Sequence, residues 1–173
     1  MKRLLILRHA KSDWKAGAPS DHERPLNKRG TGAAITMGKV LANIGEVPDL
    51  IYTSSAVRAT ETAFLASEAG GWRAATVEFD ELYGTSPAGA LEIAAGAPDD
   101  VERLMLVGHQ PTWGYLVHAL TGAAVQIKTA TVAAVDLPIS RWDDAPHSTG
   151  TLAFLLQPRL FNLHPQLFTD WDL

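Results

Sequence analysis

The tripeptide Leu7-Arg8-His9 closes the apolar run Leu4-Leu5-Ile6-Leu7 and leads directly into the polar stretch Ala10-Lys11-Ser12-Asp13. Arginine offers a planar, permanently charged fork that suits phosphate, and histidine offers a nitrogen that attacks or shuttles protons near neutral pH. Side chains alternate along a strand, so neighbours such as Arg8 and His9 share a site only where the strand ends and the backbone turns. In an open α/β sheet that place, beyond the carboxyl ends of the strands, is where ligands bind. The pair therefore suggests phosphoryl chemistry with a histidine nucleophile.

Two further segments repeat the pattern. Arg103-Leu104-Met105-Leu106-Val107-Gly108 again runs from an apolar strand into a histidine, His109, followed by Gln110, Pro111 and a helical pattern. Asp49 to Ala63 reads as strand, the pair Ser54-Ser55, then a helix with Arg58 in its first turn. The helix macrodipole disfavours a cation there unless an anion sits beside it.

The elements that must position these groups alternate along the chain, which implies parallel strands joined by helices. Strands are expected near residues 3–8, 49–53, 75–79, 103–108, 131–137 and 150–157. Asn27 is expected to cap a helix reaching Asn43, with Ile35, Met37, Val40, Leu41 and Ile44 facing inward and Gly45 ending it. Further helices are expected from Ala56 to Glu68, from Ser86-Pro87 to Ala95, and from Pro111 to Leu120 with a stop at Gly122. Residues 158–173, with Pro158, Pro165 and several aromatics, read as an extended tail packed on the body.

A chain of 173 residues, 46% hydrophobic and 20% charged, is long enough for one domain with a full core, here taken as residues 1–173. Cysteine is absent, which excludes a disulfide framework, a cysteine metal site and a thiol nucleophile. The apolar run after Met1-Lys2-Arg3 is too short for a signal peptide, and no run approaches membrane-spanning length, so a cytoplasmic protein without membrane association is expected. The net charge of −4 speaks against a broad nucleic-acid-binding face. It leaves room for a local basic pocket formed by Arg8, Arg24 and Arg58.

Taken together, Leu7-Arg8-His9 with Ser12 and Trp14, Arg24-Pro25-Leu26 followed by Gly30, Ser54-Ser55 with Arg58-Ala59 and Thr62, Glu81-Leu82, and Val107-Gly108-His109 resemble the histidine phosphatase superfamily, in its order and at its spacings. Within that superfamily, which includes the phosphoglycerate mutases, the chain is most similar to the small SixA-like phosphohistidine phosphatases. The resemblance implies a three-layer α/β/α domain with a mostly parallel central sheet. It also implies a hydrolase in which His9, in the Arg-His motif, forms a transient phosphohistidine. Arg8, Arg58 and His109 would grip the phosphoryl group, helped by the backbone N–H of Gln110, with Ser12 and Arg24 as further substrate-binding residues. No metal or other cofactor is demanded, because cations of the chain neutralise the phosphoryl charge.

The general acid has several candidates. Glu81 is first, after the strand ending at Phe79, with Asp80 and Asp13 behind it. A protonated imidazole leaves phosphorus far more easily than an alkoxide, so an enzyme acting on phosphohistidine can dispense with Glu81. Lys15 stands where mutase-like members carry asparagine after the tryptophan, which argues against mutase activity. The expected substrate is phosphohistidine on a partner protein, acted on by a monomer. The alternatives are a small phosphorylated metabolite or phosphoester and, in a different class, a phosphate-binding module without turnover. Some residues also have purely structural readings: Arg58 can pair with Glu61, Arg24 with a neighbouring carboxylate, and His109 can be an ordinary core histidine. His22 is placed near the mouth. Lys11, Lys15 and Arg29 read as cations of solvated loops, and His118, His147 and His164 as structural.

Overall fold

Six short strands form one sheet in the computed structural model, which describes residues 1–162. The chain runs β1 (Lys2–Arg8), α1 (Lys28–Asn43), β2 (Leu50–Ser54), α2 (Val57–Gly70), β3 (Ala75–Phe79), α3 (Pro87–Ala95), β4 (Arg103–Gly108), α4 (Thr112–Thr121), β5 (Val132–Leu137), β6 (Thr151–Leu156) and α5 (Pro158–Asn162). Short 3-10 stretches at Asp80–Tyr83 and Trp142–His147 complete it. Every expected strand is present within one residue at each end. The apolar runs of β1, β2, β4 and β5 were legible because those strands are buried on both faces of the sheet.

Strand order is β3-β2-β4-β1-β5-β6. β3, β2, β4 and β1 pair in parallel, whereas β5 is antiparallel to both β1 and β6. Five strands therefore point one way, and the sheet is mostly parallel. Alternation splits the core in two: Leu4 and Ile6 of β1, with Leu104 and Leu106 of β4, pack under α3 and α4. Leu5, Leu7, Met105 and Val107 pack under α1 and α2 on the other face. The result is a three-layer α/β/α fold.

Capping follows the sequence closely. Asn27 accepts from the Gly30 N–H and Ser86 from the Gly89 N–H, satisfying donors at the starts of α1 and α3. The inward face of α1 differs from expectation. Ile44 is exposed and Ile35 only half-buried, while Ala34 and Gly38 are buried with Met37, Val40 and Leu41. Close packing of α1 on α2 explains this, since a Cβ on Gly38 would lie 2.1 Å from the Ala66 carbonyl oxygen. The helices meet along small residues, and Ile44 is exposed because it lies one residue past the end of α1.

α4 begins at Thr112, with Pro111 one residue outside it. The Gln110 side chain accepts from the Gly114 N–H at 3.0 Å and so does the capping that Pro111 cannot. The tail expected to be extended instead opens with α5, whose Phe161 is buried against the α1–α2 face of the core. The remainder of that expectation, residues 163–173, lies outside the described residues.

Candidate functional site

The carboxyl ends of β1, β2 and β4 deliver three of the expected groups to one place. β1 and β4 are neighbours with Arg8 opposite Gly108, so His9 and His109 both leave the sheet one residue further on. Their ring centroids are 5.0 Å apart. Two buried tryptophan contacts fix this edge. The Trp113 indole donates to the Leu7 carbonyl at 2.9 Å, and a Cβ on Gly108 would come within 2.6 Å of the Trp113 ring, so only glycine lets the strand end there. β2 supplies Ser54, and α2, immediately after it, supplies Arg58.

A cavity of about 460 Å3 opens at this edge, lined by Arg8, His9, Ser12, Arg24, Arg58, His109 and Gln110, together with Lys11, Trp14, Asp21, Tyr83 and Thr129. Seven of the eight expected site residues thus converge. Glu81 does not: it is exposed in the 3-10 stretch after β3 and does not line the cavity. Tyr83, two residues on in the same turn, takes that place.

Each group is held by identifiable partners. The His9 Nδ1 donates to the Ala10 carbonyl at 2.7 Å, which leaves Nε2 as the nitrogen with the free lone pair. Ala10, standing directly after the Arg-His pair, donates its own N–H to Thr62 Oγ1. Burial, reinforced by the positive charges of His109, Arg58 and Arg8, pushes the His9 pKa down to about 3. The ring is therefore neutral at physiological pH. His109 has its Nε2 2.9 Å from Ser54 Oγ and its Nδ1 3.5 Å from Arg58 Nη2. Arginine only donates, so in the neutral ring Nδ1 accepts and Nε2–H donates to Ser54. Burial and the nearby Arg58 lower its pKa to about 4.

The arginines are tied in by a carboxylate that the sequence reading passed over. Asp21 accepts from Arg24 Nη2 at 2.6 Å, Arg58 Nη2 at 3.0 Å and the Tyr83 hydroxyl at 2.8 Å. Its backbone carbonyl accepts from Arg58 Nη1 at 2.6 Å. The Tyr83 hydrogen bond, then the charges of Arg58 and Arg24, hold its carboxyl below the ordinary carboxylate range. Arg58 is thus not a solvated helix cation paired with Glu61, which instead accepts from the Leu26 N–H. Arg24 fulfils both of its readings. It pairs with Asp21, donates to Ser12 Oγ at 2.6 Å and lines the cavity, with the exposed Trp14 ring 3.5 Å from its guanidinium carbon. The segment's one legible signal was Asp21 three residues before Arg24. Tyr83 carried none, because its partner lies 62 residues away. His22 sits at the margin, bonded to Ser55 Oγ and edge-on to Tyr83.

Positive charge is in excess here. Arg8, Arg24, Arg58 and Lys11 face one lining carboxylate, Asp21. Arg8 donates to the Ile127 carbonyl at 2.9 Å, and burial alone lowers its pKa. Among the described residues, the buried guanidinium nitrogens that lack a partner are Nε of Arg8, Arg24 and Arg58, all from this lining. Buried cationic donors without a partner are costly, and the surplus of lining cations over carboxylates gives the cavity a positive charge that suits an anion. Among the described residues no group of His, Cys, Asp and Glu is arranged to hold a metal ion. No helix of the described residues is long and apolar enough to cross a membrane.

Comparisons with known proteins agree with this geometry. Residues 4–85 match the model of the histidine phosphatase superfamily (branch 1). An uncharacterised chloroplastic protein of Arabidopsis thaliana is 31% identical over 153 residues, covering 83% of this chain and 70% of its own. A candidate phosphohistidine phosphatase SixA from Nakamurella multipartitia superposes with a TM-score of 0.78 at 27% identity, over 91% of this chain and 96% of that one. Its counterpart from Agrobacterium tumefaciens gives 0.77 at 28% identity, over 91% and 98%.

Proposed function

The chain belongs to the histidine phosphatase superfamily and is a phosphatase with a histidine nucleophile; from that premise we propose that His9 is the nucleophile and that its substrate is phosphohistidine on a partner protein. His9 Nε2 carries the lone pair, and burial keeps it unprotonated, so it is ready to attack phosphorus at physiological pH. The phosphorus–nitrogen bond to the partner's imidazole breaks as the bond to Nε2 forms, and water then releases phosphate from His9. Arg8, Arg24 and Arg58 offset the charge on the phosphoryl oxygens without moving, because Asp21 and Ile127 already hold them. The Gln110 backbone N–H at the cavity adds a donor. A bound dianion also favours protonation of His109, which adds a positive charge beside the phosphoryl group.

The observation that carries the choice of substrate is the absence of a usable acid in the cavity. Asp21 is the carboxylate among the described lining residues, and it is held ionised by Tyr83, Arg58 and Arg24. An alkoxide leaving group needs a proton donor, whereas a protonated imidazole leaves without one. That supports a phosphoramidate over a phosphomonoester. The test is phosphate release from a histidine-phosphorylated protein domain and from a generic phosphomonoester, with wild type, His9→Ala and Glu81→Gln. Release from the first substrate is expected to vanish in His9→Ala and to be unchanged in Glu81→Gln. Turnover confined to the monoester, with strong loss in Glu81→Gln, would make the protein a metabolite phosphatase.

A further inference from the structure

Beside the catalytic cavity lies a second one of about 440 Å3 that shares Lys11 and Thr129 with it. Four cations line it, Lys11, Arg29, Lys128 and Arg159, and among the described residues no carboxylate does. They come from four separate parts of the fold: the loop after β1, the first turn of α1, the loop before β5, and α5. All four are exposed, and among the described residues none has a carboxylate within ion-pairing distance.

In a chain with a net charge of −4, four like charges gathered around one groove without a counter-ion repel one another. The two cavities also differ in construction. In the catalytic cavity the guanidiniums of Arg24 and Arg58 are buried and locked to Asp21. Among the described residues the groove has no buried cation, and its four long side chains are exposed. Locked guanidiniums suit a small, rigid oxyanion, while free rim cations suit a broad acidic surface that needs attraction and orientation more than fixed hydrogen bonds.

We propose that this groove is the docking surface for an acidic face of the protein that carries the phosphoryl group, so that Lys11 spans the join between docking and chemistry. The inference rests on the phosphohistidine reading above. An acidic partner meeting a net-negative chain is otherwise repelled, and the groove turns that encounter into an attraction directed at the catalytic mouth. Lys11 and Arg29 are thereby more than solvated loop cations.

The test pairs two substrates: an acidic phosphotransfer domain phosphorylated on histidine, and free phosphohistidine. The variant is Lys128→Glu with Arg159→Glu, neither of which touches the catalytic cavity, checked for an unchanged thermal transition. For the protein substrate KM is expected to rise about tenfold with kcat unchanged, and the salt dependence of kcat/KM to shrink. Turnover of free phosphohistidine is expected to stay at the wild-type level. Protein turnover insensitive to the double variant overturns the groove alone, and equal loss on both substrates assigns these cations to the small ligand instead. No turnover of the phosphorylated domain by wild type overturns the phosphohistidine reading and the docking partner together.

Discussion

The two ends of β1 and β4 carry the same kinds of residue and put them to opposite use. At the amino ends, Lys2, Arg3 and Arg103 meet Glu102, Asp136 and Glu46, so each cation has its own carboxylate. The forked pair between Arg3 and Asp136 raises the arginine's pKa and lowers the carboxyl's. At the carboxyl ends, Arg24 and Arg58 share Asp21 while Arg8 has only the Ile127 carbonyl, and the Nε of each of the three is left without a partner. Arginine as such marks neither site nor scaffold. The count of opposing carboxylates does, because a matched cluster is close to neutral while an under-matched one keeps a net positive charge that attracts an anion.

Arg58→Ala is the sharpest way to break the contrast. Losing one oriented donor to the phosphoryl group is expected to lower kcat by about a hundredfold to a thousandfold, measured as phosphate release under saturating substrate. A loss below tenfold would place Arg58 on the scaffold side, with Arg3.

Acid sharpens it next. Unfolded His9 and His109 take up protons near the ordinary histidine pKa of about 6.5, which their folded forms refuse until about 3 and about 4. The unfolded state then binds more protons, so stability falls as pH drops from 6.5 towards 4, approaching about 1.4 kcal/mol per pH unit for each ring. Denaturant unfolding at several pH values is expected to show this slope, and to show it flattened in a His9→Gln, His109→Gln variant. Saturating inorganic phosphate is expected to flatten it too, because an anion lets the folded rings accept protons. Equal slopes in all three cases would mean the rings are not held neutral by the site.

The smallest effect belongs to the matched end. Arg3→Met leaves Asp136 partly buried without its cation and Glu46 with Arg103 alone, and is expected to cost about 1–3 kcal/mol of stability. Its kcat and KM are expected to equal wild type, as read by the same phosphate-release assay. A fall in kcat without loss of stability would tie the two ends together.

Much of this was legible in the chain. Apolar runs ending in Arg8-His9 and Gly108-His109 fixed the strands and the site they empty into, because a strand's hydrophobic pattern and the turn after it are local properties. Asn27, Ser86 and Gly122 marked helix ends for the same reason, each satisfying or reshaping backbone within a few residues. The burial of Gly38 was not legible, since it depends on how closely α1 approaches the Ala66 backbone of α2.

The site divides along the same line. Residue type and chain position by themselves put His9 and His109 just past the ends of two strands, Arg8 beside the first and Arg58 in the first turn of a helix, and the family resemblance implied that the four share a site. Only tertiary structure decided that Asp21 orders the arginines, that Tyr83 enters the cavity while Glu81 faces solvent, and that Lys11, Arg29, Lys128 and Arg159 surround one groove. Sequence periodicity tells which face of an element is buried, but charges on loops carry no periodicity. Their meaning depends on which neighbours the folded chain brings within a few ångströms.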